Sequence, residues 1–211
     1  MAVITISRQY ASGGSDVAKR VAELLQWPLV DNEFVDRVAA RAGMSREEVE
    51  ERQERVPSMI ERLARALAIS SPEVFVATGE PPDARFGREE DLVRATEAVI
   101  NQTVQEGNVV MVGRGAQAYL AEQQDTLHVY VVAPRDRRVE AAMQRLAASR
   151  EDAADAVDRT DEGRRRYVKT HYGREWGHPA NYHLVINTGA FGYDEAAAMI
   201  VEAARVKGWR P

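Results

Sequence analysis

The sequence predicts an α/β fold in which helices cover a five-stranded parallel sheet. Five short apolar runs are separated by stretches with helical periodicity, and this alternation is typical of parallel sheets. The runs are nearly continuous in apolar residues, as expected for strands buried on both faces. With 211 residues and 45% hydrophobic content, the chain can build one sizeable core. The predicted strands are Val3 to Ile6, Pro28 to Val30, Asn108 to Val112, Leu127 to Val132 and Leu184 to Ile186.

The first predicted strand leads through a turn of small residues into a helix. Gly13 and Gly14 form the turn, and the helical pattern starts at Ser15. The apolar residues that follow at helical spacing are Val17, Val21, Leu24 and Leu25. Glycine backbone and a helix N-terminus together favour phosphate binding. The segment therefore predicts a phosphate-binding loop, with an ordinary strand-to-helix turn as the alternative.

This loop departs from the phosphate-loop pattern G-x-x-x-x-G-K-[ST] at two of its four defining positions. When Gly13 is aligned with the second glycine, Arg8 takes the place of the first glycine and Gly14 that of the lysine. Ser15 retains the hydroxyl that binds Mg²⁺. The backbone and the helix dipole still favour an anion, but the lysine charge is missing. Arg8 is the nearest substitute for that charge.

Composition excludes several classes of function. The net charge of −5 and the pI near 5.5 argue against general nucleic-acid binding, which needs a basic surface. The absence of cysteine excludes disulfides and thiolate metal sites, and the four histidines lack a metal-ligand spacing. Neither a signal peptide nor a membrane-spanning run is recognisable, so we expect a cytoplasmic protein without membrane partners.

Charged residues follow the second and third predicted strands, where ligands of parallel sheets bind. Asp31 ends the second strand, where it could bind a hydroxyl or a base, or equally cap the next helix. Arg114 follows the third strand between Gly113 and Gly115. An arginine in this place suits bidentate phosphate recognition, and the alternative is a solvated surface side chain.

Between these two strands lies a long and mostly helical insertion, and a basic cluster follows later in the chain. The segment from Arg159 to Arg174 carries six positive residues against the two carboxylates of Asp161 and Glu162. Bound phosphate groups would explain such a concentration in an acidic chain. The alternative is a solvated basic helix, the commonest fate of a run of charges.

Together these segments resemble the cytidylate kinase-like family of P-loop nucleoside monophosphate kinases over almost the whole chain. The residues that carry the resemblance are ITISRQYASGGSDVA, PLVDNEF, VVMVGRG and WGHPANYHLVINTG. The resemblance implies a three-layer P-loop NTPase fold in a single domain. Its core would comprise residues 1–31, 92–145 and 175–211, with a helical insertion that binds the nucleoside monophosphate at 32–91 and an arginine-rich lid at 146–174.

The resemblance also implies roles for individual residues. ATP would bind, with Mg²⁺ held by Ser15, at Ser12, Gly13, Gly14 and Ser15. The catalytic cations would be Arg8, Arg137, Arg138 and Arg164. The acceptor nucleotide would bind at Asp31, Arg94, Arg114, Asp158, Asp161 and Arg164. Of these, Asp158, Asp161 and Arg164 have the spacing of the D-x-x-D-x-x-R motif of cytidylate kinases.

Three departures from the cytidylate kinase pattern keep alternatives open. Gly14 replaces the loop lysine, Gly115 replaces an aspartate implicated in base recognition, and Val112 replaces an acidic residue. We expect phosphoryl transfer from ATP to a nucleoside monophosphate, with CMP or dCMP as the first acceptors to consider. The alternatives are a kinase of the same fold for another small acceptor, and a nucleotide-binding regulatory module with little turnover. A homo-oligomer is left open.

Overall fold

The computed structural model describes residues 1–31 and 89–209. These residues belong to two compact units, of which the first comprises Met1–Val30 and Gln102–Pro211 and the second Asp31–Asn101. The predicted insertion at residues 32–91 lies outside the described residues except for its last three, which begin a helix. In the described parts of the chain, no helix is both long enough and apolar enough to cross a membrane.

Strands and helices alternate along the first unit as the sequence predicts. The strands are β1 (Val3–Arg8), β2 (Leu29–Asp31), β3 (Val109–Val112), β4 (Thr126–Val132) and β5 (Leu184–Asn187). The described helices are α1 (Gly14–Leu25), α2 (Glu89–Glu106), α3 (Ala116–Tyr119), α4 (Arg135–Leu146), α5 (Arg150–Tyr172) and α6 (Tyr193–Val206). Every predicted strand is present, with its ends shifted by at most two residues.

The sheet has the strand order β2-β3-β1-β4-β5, and β1 lies at its centre with parallel neighbours on both sides. The predicted five-stranded α/β fold is therefore confirmed. In the register of β1 and β3, Ile6 pairs with Val112. Arg8 and Arg114 each lie two residues beyond this pair. Both arginines consequently leave the sheet at its carboxyl edge, where parallel sheets bind ligands.

Helices cover both faces of the sheet. On one face, α1 and α6 pack on β1 and β4 through a cluster that includes Ile4, Val21, Val129 and Ile200. On the other face, a smaller cluster joins Tyr130 of β4 to residues of α3 and α5 and to the segment after α5. One detail of the predicted α1 stripe is wrong, because Leu24 is 53% exposed while its neighbour Leu25 is buried.

Strand β4 carries a buried histidine opposite Thr5 of β1. His128 is 3% exposed, its Nδ1 is 2.7 Å from the Thr5 hydroxyl, and its ring stacks on His183 at 5.1 Å between ring centroids. Burial, and after it the charge of the nearby His183, lower the pKa of His128 from 6.5 to about 4. The imidazole is therefore neutral in the folded protein at neutral pH.

Because of His128, we expect the free energy of unfolding to fall in acid. In the unfolded chain His128 binds a proton below its ordinary pKa, whereas in the folded chain it does not until about pH 4. The stabilisation is thus present above pH 6.5 and is lost as the pH falls towards 4, by on the order of 3 kcal/mol. Urea unfolding at pH 7.5, 6.5, 5.5 and 4.5 measures this loss.

The variant His128→Gln is the control, because glutamine can form a hydrogen bond with the Thr5 hydroxyl but does not titrate. We expect its free energy of unfolding to change less between pH 6.5 and 4.5 than that of the wild type. An equal slope in both proteins would assign the acid sensitivity to other groups.

Candidate functional site

The segment between β1 and α1 has the backbone of an anion-binding loop. Ala11 and Gly13 adopt left-handed conformations with φ of 58° and 78°, and the Ser12 N–H donates to the Gln9 carbonyl oxygen. Helix α1 then begins at Gly14, and no side chain caps its N-terminus. The first N–H groups of a helix have no partner within the helix, so this end is suited to bind phosphate oxygens.

Arg8 occupies the space that a side chain at position 14 would need. A Cβ atom on Gly14 would lie 2.8 Å from Arg8 Cγ and closer still to Arg8 Cβ. Arg8 is the last residue of β1 and is only 6% exposed. Position 14 is therefore closed to a lysine as long as Arg8 is present, and the arginine is the cation that lies beside the start of α1.

The two serines of the loop point in different directions. The Ser12 hydroxyl donates to the carbonyl oxygens of Gln9 (2.9 Å) and Val131 (3.2 Å), so it ties the loop to β4. The Ser15 Oγ atom is buried and has no hydrogen-bond partner among the described residues. A lone hydroxyl oxygen at a phosphate-binding helix start fits Mg²⁺, which takes few protein ligands and completes its shell with phosphates and water.

Arg114 is held in a strained turn after β3. Three consecutive residues, Gly113, Arg114 and Gly115, have positive φ values of 76°, 57° and 65°. Such a conformation is unfavourable for a non-glycine residue and is concentrated at functional sites. The Gly113 N–H donates to the Ile6 carbonyl oxygen at 3.1 Å, which fixes the turn against β1.

The Asp161 carboxylate of α5 binds both the loop after β1 and an arginine of α4. Its Oδ1 accepts the Tyr10 N–H at 2.7 Å, and its Oδ2 accepts Arg138 Nη1 at 2.6 Å. Arg164 lies 3.8 Å from Asp161 Oδ1 and donates from Nη1 to the Arg8 carbonyl oxygen at 2.8 Å. The predicted residues Arg8, Arg138, Asp161 and Arg164 are thus brought together. Asp161 and Arg138 bind the backbone of Tyr10, and Arg164 binds that of Arg8.

The adjacent arginines Arg137 and Arg138 have different surroundings. Arg138 is buried, and besides Asp161 it donates to the carbonyl oxygens of Ala133 and Tyr10. Arg137 is exposed and borders an open cleft of about 410 Å³ that the phosphate loop enters with Ala11 and Ser12. Of the two, Arg137 has the exposed side chain, whereas the mostly buried Arg138 contributes to the wall of a second cleft.

Two residues of this cleft were not identified from the sequence. The Thr188 hydroxyl, just after β5, donates to the Ser12 carbonyl oxygen at 2.7 Å. Tyr193 lies directly against Gly13, since a Cβ on that glycine would be 2.7 Å from the Tyr193 hydroxyl. Thr188 could have been found from its position at the carboxyl end of a parallel strand, but the sequence carries no signal for Tyr193.

The remaining predicted residues lie further from the loop or in the other unit. Asp158 is exposed and pairs with Arg135 through two hydrogen bonds of 3.2 and 2.6 Å, which lower the pKa of its carboxyl. It lines a second open cleft, of about 700 Å³, between α5 and residues 175–179. Asp31 is buried at the end of β2, and Arg94 is exposed on α2; both belong to the second unit.

Among residues 1–31 and 89–209, no group of three or more histidine, cysteine, aspartate or glutamate side chains could hold a metal ion.

Known proteins resemble this chain in family and in fold. A family model described as the cytidylate kinase-like family matches residues 3–190. An uncharacterised protein from Eubacterium ventriosum is 20% identical, with a TM-score of 0.68 and coverage of 97% of this chain and 99% of that one. Shikimate kinase from Acinetobacter baumannii, solved with shikimate, is 14% identical, with a TM-score of 0.52 and coverage of 98% and 94%.

A curated protein also matches part of the chain. Uronate isomerase of Corynebacterium glutamicum is 34% identical over 93 residues, which are 44% of this chain and 18% of that protein. The chain thus matches less than a fifth of that relative's length. The structural relatives, in contrast, extend over nearly the whole chain and share its fold, which is consistent with the predicted P-loop NTPase fold.

Proposed function

We propose that this chain, which belongs to the cytidylate kinase-like family, transfers the γ-phosphoryl group of ATP to a nucleoside monophosphate. The main support is that Arg8 and Arg114 both follow the paired ends of β1 and β3 at the carboxyl edge of the sheet, while Arg164 binds the Arg8 carbonyl oxygen and α1 starts uncapped. Phosphoryl transfer requires chiefly that two phosphate groups be aligned and their charge neutralised. Arginines around a backbone phosphate loop meet both requirements.

The donor nucleotide would lie on the phosphate loop. Its phosphate oxygens would accept hydrogen bonds from the backbone N–H groups of Gly13, Gly14 and Ser15. Its adenosine would extend into the cleft beside Arg137. Mg²⁺ bound with ATP would supply neutralisation of charge on the β- and γ-phosphates, with Ser15 as its protein ligand. Arg8 would take the position of the usual lysine.

The acceptor phosphate would bind Arg114 and Arg164. An oxygen of that phosphate forms a bond to the γ-phosphorus while the bond from that phosphorus to the bridging oxygen of ATP breaks, which yields ADP and a nucleoside diphosphate. Arg94 and Asp31 remain proposed acceptor contacts. For Asp161 and Arg138 we propose a positioning role, because their mutual ion pair and their bonds to Tyr10 hold the loop.

Removal of Arg114 tests the acceptor site. We expect Arg114→Ala to lower kcat/KM for the acceptor by about 30-fold or more, which corresponds to the loss of about 2 kcal/mol of transition-state stabilisation. Steady-state kinetics with varied acceptor and saturating ATP measure the effect. Arg205→Ala, in an exposed ion pair on α6, is the matched control and should leave kcat/KM unchanged. An equally active Arg114→Ala enzyme would remove this residue from the site.

The acceptor is identified by a transfer assay with radiolabelled ATP. CMP, dCMP, UMP, AMP, GMP and shikimate are compared, with acceptor-free hydrolysis as the blank. The proposal predicts a labelled diphosphate from one or more nucleotides, CMP and dCMP being the first candidates. Transfer to shikimate alone would favour the other kinase chemistry found in this fold. Binding of ATP without transfer to any acceptor would favour a regulatory module.

A further inference from the structure

The glycine after Arg114 lies beneath an aromatic side chain. A Cβ atom on Gly115 would be 2.6 Å from Tyr172 Cε2 and 3.2 Å from Tyr167 Cε1. Gly115 also has a φ of 65°, which disfavours any side chain. This chain therefore has no carboxylate at position 115 to read a base, and a side chain there would collide with the Tyr172 ring in its present place. Tyrosine rings from the C-terminal end of α5 fill that space instead.

These rings form what we call the tyrosine cluster, consisting of Tyr119, Tyr167 and Tyr172. The ring centroid of Tyr172 is 6.4 Å from that of Tyr119 and 6.1 Å from that of Tyr167. All three side chains are partly exposed. Such spacings are those of interacting aromatic rings, which hold one another in fixed orientations. The cluster is thus an ordered aromatic surface directly beside Arg114.

We propose that the tyrosine cluster holds the base of the acceptor nucleotide by stacking while Arg114 holds its phosphate. This inference rests on the proposed function and adds how the acceptor is chosen. A stacked ring contributes binding free energy through its π-face, and every nucleobase has one. A hydrogen-bonding carboxylate, in contrast, selects one pattern of donors. The ligand class is therefore nucleoside monophosphates in general, with weak selection among bases.

The first test compares acceptors with and without a base. Isothermal titration measures the affinity of the wild type for CMP, UMP, AMP, GMP and ribose 5-phosphate. We expect each nucleotide to bind about tenfold or more tightly than ribose 5-phosphate, and the four nucleotides to lie within about tenfold of one another. Equal binding of CMP and ribose 5-phosphate, or a preference for a single base of about 100-fold, would overturn the proposal.

The second test removes one ring of the cluster. Tyr172→Leu should reduce the advantage of CMP over ribose 5-phosphate to about threefold or less, while the affinity for ribose 5-phosphate is retained. Tyr172→Phe keeps the ring and should keep the advantage. A merely structural role would lower both affinities together in Tyr172→Leu. Tyr119→Leu and Tyr119→Phe provide the same comparison if Tyr172→Leu does not fold.

Binding and turnover separate this inference from the proposed function. Base-dependent binding that Tyr172→Leu abolishes, without phosphoryl transfer, would contradict the kinase proposal and support the tyrosine cluster as a nucleotide site. Transfer to nucleotides with no loss of base-dependent affinity in the leucine variants would support the kinase and overturn the tyrosine cluster.

Discussion

Arg8→Ala is expected to reduce kcat by about 100-fold or more, the usual cost of removing a preorganised charge from a transition state. Arg8 ends β1 and lies against Gly14, where other phosphate loops carry their lysine. Without it, the backbone N–H groups would still bind ATP, but the cation that replaces the loop lysine beside the phosphates would be missing. Stopped-flow or steady-state assays at saturating ATP and acceptor measure kcat, and ATP titration measures binding separately.

A charge exchange within the loop provides a sharper test of this account. Gly14→Lys alone should fold poorly or lose activity, because its Cβ would collide with Arg8. Arg8→Gly should be as inactive as Arg8→Ala. The double variant Arg8→Gly with Gly14→Lys restores the pattern G-x-x-x-x-G-K-S and removes the collision. We expect it to recover at least about tenfold in kcat over Arg8→Gly.

Two results would contradict the proposed role of Arg8. If the double variant is no more active than Arg8→Gly, the two positions do not supply the same charge. If Arg8→Ala retains the wild-type kcat, Arg8 has no part in transfer, and the proposed replacement of the lysine is wrong.

Asp161→Ala is expected to destabilise the folded protein by about 3 to 5 kcal/mol, the usual result of removing one partner from a buried ion pair. The Asp161 and Arg138 side chains are 11% and 7% exposed. The substitution also deprives the Tyr10 N–H of its acceptor at 2.7 Å. The buried Arg138 charge would keep only its carbonyl acceptors, and loss of a charged partner from a buried group is costly in itself. Urea denaturation at neutral pH measures the free energy of unfolding.

Asp158→Ala is the matched control for this effect. Asp158 lies on the same helix and also pairs with an arginine, but its side chain is 58% exposed and that of Arg135 is 52% exposed. Exposed pairs contribute little because solvent screens them. We expect only a minor change in stability. Equal destabilisation by the two substitutions would contradict a central role for Asp161 in holding the loop.

The fold could be predicted from the sequence because its determinants are local. Continuous apolar runs such as Val109–Val112 indicate buried strands, and glycines followed by helical periodicity mark the loop and the start of α1. The positions of Arg8 and Arg114 at the sheet edge follow from the same pattern, since each comes just after an apolar run. Strand register then brings them to the same edge.

The contacts within the site could not be predicted in this way, because they depend on packing between distant segments. Asp161 meets Tyr10 across 151 positions of sequence, and nothing in the motif distinguishes the buried Arg138 from the exposed Arg137. Gly115 is a similar case. A glycine in the sequence indicates a flexible backbone, but it does not indicate that the Tyr172 ring packs against this position. Local patterns indicated candidate residues, and tertiary packing determined the surroundings of each.

The most direct test of the proposed kinase activity is the initial rate of CDP formation from CMP at saturating ATP and Mg²⁺, with ADP measured in the same reaction. The account predicts that the rate saturates with CMP, that CDP and ADP form in equal amounts, and that both exceed the ADP formed without acceptor. ADP that forms at the same rate with and without CMP, with no CDP, would contradict transfer to this nucleotide.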